Sequence, residues 1–187
     1  MEFSQISDRP GRQIGQLVRV DHRADRRPCD RRHHTAAGRR LVTSFSRPPI
    51  PVAGLGAGGF LPFAAGAAAL WWAPGTWQAL AVASQLAYGA VILSFLGGIL
   101  WGLAISPTGA PGWRWPALSV VPALIAWPAL LWGGAGGLWL LAASFLAMPL
   151  IDRAAVAAGL APNWYLTLRL PLSGMVAAAL ALSAAAL

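Results

Sequence analysis

Ser84, Gln85 and Tyr88 put three polar side chains on one helix face inside an apolar run, Tyr88 lying four and three positions beyond the other two. Counted from Trp77 at 1.5 Å per residue, Tyr88 lies about 16 Å into the run, near the middle of a hydrocarbon layer. A hydroxyl, an amide and a phenol there could form a pocket for a substrate or a lipid headgroup. They could instead hydrogen-bond a neighbouring helix, and that reading is the stronger. A second set is charged: Arg114, Asp152, Arg153 and Arg169 flank later apolar runs. Asp152 is expected to pair with Arg169 and tie two helices together, with an anionic-ligand or headgroup site as the alternative. Trp164 is expected to anchor the start of the last run at the interface.

Other chemistry has little to work with. His22, His33, His34 and the single cysteine, Cys29, all precede residue 49. The apolar part therefore offers no imidazole or thiol to a haem or a metal ion, and no internal disulfide can form. It holds no Asp or Glu at depth for a proton relay, and its serines have no histidine or acid to activate them. Walker, dinucleotide and HExxH motifs are missing. The expectation is a non-enzymatic protein with no catalytic residue, no cofactor and no metal.

The elements that would position these residues are membrane spans. Of the 187 residues, 57% are hydrophobic and 11% charged, against about a quarter charged in soluble domains. Eleven arginines and five acids precede residue 49, and three arginines and one acid follow it. Residues 49–187 are thus expected to form a five-span α-helical bundle, with spans near 52–72, 77–105, 116–132, 137–158 and 164–187. Backbone groups in lipid must be bonded internally, which leaves helices as the form of such runs. Gly159 is expected to cap the fourth. Pro122 and Pro128 in the third, and Pro62, Pro149 and Pro171 elsewhere, mark kinks or broken-helix binding sites.

The connections give an independent check. Those at 73–75 and 133–137 carry no charge, while Arg114, Arg153 and Arg169 fall on the side that also holds the N-terminal segment. The positive-inside rule then places the N-terminus in the cytoplasm and the C-terminus outside. The lack of lysine and the wealth of Arg, Ala and Gly suggest GC-rich coding, hence a bacterial inner membrane.

Residues 1–48 mix Arg, Asp, His, Pro and Gly without apolar periodicity, and are expected to be a disordered basic tail or the product of a start codon placed too early. Only Phe3 and Phe45 could stack on bases, so no specific nucleic-acid partner is expected. Arg39, Arg40 and Arg47 could touch anionic headgroups at about 1 kcal/mol each.

Glycines supply the packing signal. Gly98 and Gly102, with Gly97 and Trp101 beside them, form a small-xxx-small face, and Gly54 and Gly58 form another in the first span. The two faces are expected to mate within the bundle, with homodimerisation or ligand approach as alternatives.

The runs AYGAVILSFLGGILWGLAI (87–105), PNWYLTLRLPLS (162–173) and GLGAGGFLPF (54–63) resemble an uncharacterised membrane family, domain of unknown function 3429, over roughly residues 52–187. The resemblance implies a compact five-helix membrane domain with no established activity, cofactor or substrate. It marks Tyr88, Ser94, Gly97, Gly98, Trp101, Trp164 and Arg169 as positions that hold the bundle together. Where the family often has a basic or polar residue, this chain has Leu100. The functional expectation is a membrane scaffold or assembly protein, whose partners are membrane lipids and other membrane proteins or copies of itself. The alternative is an oligomeric transporter or channel for a small solute or lipid.

Overall fold

The computed structural model describes residues 48–106, 109 and 112–187. The disordered tail expected over 1–48, and the headgroup contacts of Arg39, Arg40 and Arg47, lie outside the described residues apart from Pro48. Among the described residues six α-helices follow one another: α1 (Ile50–Gly58), α2 (Leu61–Trp72), α3 (Gln78–Ala104), α4 (Arg114–Trp132), α5 (Gly134–Ala157) and α6 (Trp164–Ala185). A single 3₁₀ turn, Gly75–Trp77, leads into α3. The stretch Ile50–Trp72, α3 with its 3₁₀ turn, α4, α5 and α6 are each long and apolar enough to cross a membrane. The chain is an integral membrane protein, with five such spans among the described residues.

The first span is broken, and the sequence says why. Pro62 has no N–H to give to the carbonyl of Gly58, one turn earlier. The next donor, Phe63 N–H, goes to Phe60 O at 3.1 Å in a tighter turn. The α-helical ladder is interrupted over 58–60, and α1 and α2 leave the break as separate helices.

The fourth span ends as the sequence predicts. Gly159 takes a positive φ of 76°, its N–H bonds Val156 O at 2.9 Å, and Leu160 N–H bonds Ala155 O at 3.0 Å. This is a Schellman cap, and an L side chain in that conformation costs about 1–2 kcal/mol. At the opposite end, Gly133 and Gly134 both have positive φ and turn α4 into α5 within two residues.

Apolar side chains from α2, α3, α5 and α6 meet in the centre. Phe63 packs edge-on against Phe145, with centroids 5.8 Å apart, and tilts over Tyr88 at 5.0 Å. Leu93, Leu138, Leu141 and Leu180 are fully buried around them. A smaller cluster of Leu100, Ala104, Trp115, Ala155 and Leu160 closes the end that carries the arginines. Trp115 is thus a core residue there, while Trp71, Trp72, Trp77, Trp132 and Trp139 are exposed at the far end, as interface anchors are.

The glycines need a correction. Gly97 is the close-approach residue: a Cβ on it would strike the backbone carbonyl oxygen of Ser119 and lie 3.4 Å from Pro122 Cγ. Buried Pro122 therefore lies in the α3–α4 seam. Gly54, Gly58, Gly98 and Gly102 have nothing within 4 Å of such a Cβ. The expected mating of their two faces does not occur. Gly98, Gly102 and Trp101 turn outward, because α3 uses the face carrying Leu93, Leu96, Gly97 and Leu100 for its neighbours. Gly97→Ala is expected to lower the thermal midpoint in detergent by several degrees, through separation of α3 from α4. Gly98→Ala is expected to leave it unchanged.

Candidate lateral site between the first and last spans

Helix α3 stitches itself to the broken first span through two of its polar side chains. Gln85 is 2% exposed and donates from Nε2 to Phe63 O at 3.0 Å. Tyr88 donates its hydroxyl to Gly59 O at 3.1 Å, a carbonyl that Phe63 N–H has passed over. Gly66 makes room for the amide, since a Cβ there would collide with Gln85 Nε2. Ser84 does not join this face: it is exposed, being one residue, or 100° of helix, away from Gln85. Gln85 Oε1 is buried without a partner. Ser94 is half-buried lower on α3.

The charged set divides in the same way. Arg169 of α6 and Asp152 of α5 are both buried and joined at 3.0 Å, Nε to Oδ2. Arg153 and Arg114 are exposed at the same end, Arg114 lying 5.3 Å over the Trp115 ring. Trp164 is half-buried at the start of α6 and packs edge-on against Tyr165 at 6.3 Å. The Tyr165 ring in turn lies 5.9 Å from the Arg169 guanidinium.

These residues lead into a groove that the sequence did not disclose. A cavity of about 360 Å³ runs between α1, the break, α3 and α6, floored by Phe63, Phe145 and Val176. Its walls are almost wholly apolar, and Leu55 and Phe95 beside it are exposed on the flank of the bundle. At one end the lining includes Tyr165, Arg169 and Ser173. Arg169 Nη2 and Ser173 Oγ are both buried and without a hydrogen-bond partner. Buried polar groups are rarely left so. The signal in the sequence is the spacing 165, 169, 173, successive turns of one helix face; a lone serine among apolar neighbours is a weak one.

The stitch has a measurable consequence. Tyr88→Phe keeps the ring on Phe63 and removes the donor to Gly59 O. It is expected to cost about 1 kcal/mol, read as a lower unfolding midpoint in detergent with unchanged helical circular dichroism.

A profile of a family described as protein of unknown function, DUF3429, matches residues 48–185. Among curated proteins, transmembrane protein 69 of Xenopus tropicalis is 41% identical over 92 residues, which cover 48% of this chain and 36% of that relative. The aligned stretch is therefore little more than a third of the animal protein's length. No solved structure matches the chain.

Proposed function

This chain belongs to the DUF3429 family, and on that premise we propose that it is a non-enzymatic scaffold or assembly protein of the membrane. The observation that supports this reading is the use to which the interior polar groups are put. Gln85 and Tyr88 hold backbone carbonyls of the first span, and Arg169 holds Asp152, so each joins helix to helix. The outward face of α3, with Val91, Gly98 and Gly102 all exposed, is left for a helix of a partner membrane protein. Small residues let another backbone approach closely there.

Cysteines placed at Gly98 or Gly102 in a Cys29→Ser background test the reading. They are expected to crosslink in native membranes to a reproducible membrane-protein partner, and Gly98→Leu with Gly102→Leu to abolish its co-purification. A folded protein that crosslinks to nothing overturns it.

The rival reading, an oligomeric transporter of a small solute or lipid, would draw on the same polar face, which both bonds above occupy. Proteoliposomes are expected to show no flux that Gln85→Leu abolishes; such a flux would favour transport. For placement we propose a bacterial inner membrane with a cytoplasmic N-terminus and a periplasmic C-terminus. The orientation rests on Arg114, Arg153 and Arg169 sharing the end at which the first span begins, and the membrane on the lysine-free composition rich in Arg, Ala and Gly. Cysteines at Gly75 and Gly134 are expected to react with an impermeant reagent added outside, and those at Gly112 and Gly159 only after lysis.

A further inference from the structure

We propose that the groove between α1, α3 and α6 holds one acyl chain of an anionic phospholipid, whose phosphate is bound by Arg169 and Ser173. Several observations converge on this occupant. A guanidinium nitrogen can only donate, and Asp152 already takes the Nε proton. Whatever completes Arg169 Nη2 must therefore bring an acceptor. Ser173 stands one turn further along α6, 2% exposed, with its hydroxyl also unpartnered. Two orphaned donors on adjacent turns suit two oxygens of one phosphate.

Charge selects among acceptors. Asp152 is matched by Arg169, and among the described residues the other charges at this end, Arg114 and Arg153, are exposed cations. An anionic head gains from them, while a zwitterionic head gains little. Depth agrees. Arg169 lies five residues into α6 from Trp164, about 7.5 Å along the axis, just below the level an interfacial tryptophan marks. The rest of the groove excludes a free anion as its natural occupant. It is walled by Leu55, Phe95, Ile99 and Leu172, and at about 360 Å³ it sits at the small end of ligand pockets. One chain fits; the second stays in the bilayer. The broken first span shapes the groove, since Gly56 before the turn and Gly59 within it present no side chain to it.

The site is independent of the assembly reading and is tested on its own. Full-length protein is placed in nanodiscs of equal parts phosphatidylglycerol and phosphatidylcholine, released, and weighed by native mass spectrometry. It is expected to retain phosphatidylglycerol over phosphatidylcholine by roughly fivefold. Ser173→Ala, and separately the double variant Asp152→Asn/Arg169→Gln, which leaves no lone buried charge, are expected to bring the ratio near one. Gly56→Trp fills the groove and is expected to abolish retention of both lipids with helicity unchanged. Excess inorganic phosphate is expected to leave retention untouched. If the double variant does not fold, Ser173→Ala decides alone. Equal retention of the two lipids by the wild type, a ratio that survives Ser173→Ala, or displacement by phosphate overturns the proposal.

Discussion

Pro62 withdraws a backbone donor from the middle of a span, and in hydrocarbon no water stands ready to replace it. Much of the bundle's arrangement answers that one deficit. The chain re-forms a tighter turn at Phe60, and Tyr88 of α3 reaches Gly59 O, which that turn leaves open; one turn on, Gln85 adds a bond to Phe63 O inside α2. Both donors come from the helix packed against α2, so the break and its repair fix the two spans against each other. The aromatic cluster of Phe63, Tyr88 and Phe145 forms around the same point.

The same break makes the groove. With α1 set off from α2, the first span no longer covers α6 along its whole length. The buried Arg169–Asp152 pair lies beneath the uncovered part. Removing two charges from water is costly unless their remaining hydrogen-bonding capacity is met. Within the chain that capacity is met in part, by one bond from Nε. The lipid phosphate proposed above would complete it, making the lipid a constituent of the fold as much as a ligand.

Packing elsewhere follows close approach rather than a motif. At Gly66, Gly97 and Gly137, among others, a neighbour occupies the place of a Cβ. Gly98, Gly102, Gly54 and Gly58, which spell the familiar spacing, face away. The difference between Gly97 and Gly98 is 100° of rotation about α3. That rotation is set by where Leu93, Leu96 and Leu100 must point to reach the core. A spacing rule names a helix face; only the neighbours say whether the face is in use.

Span number, helical form and the Gly159 cap were legible in the sequence because each depends on local or one-dimensional information. Apolar run lengths set the spans, the hydrocarbon demand for internal hydrogen bonds sets the helices, and a glycine past the last turn sets the cap. The possibility of an Asp152–Arg169 pair was legible too, since two opposite charges facing lipid have little alternative to each other. Tertiary structure decided which face of α3 turns inward, that Ser84 stays outside while Gln85 goes in, and that Ser173 joins Arg169 beside a groove. Those outcomes depend on helix rotation and on where α1 departs from α2. Residues of nearly uniform hydropathy write neither into the chain, because in lipid every face of an apolar helix is equally at home.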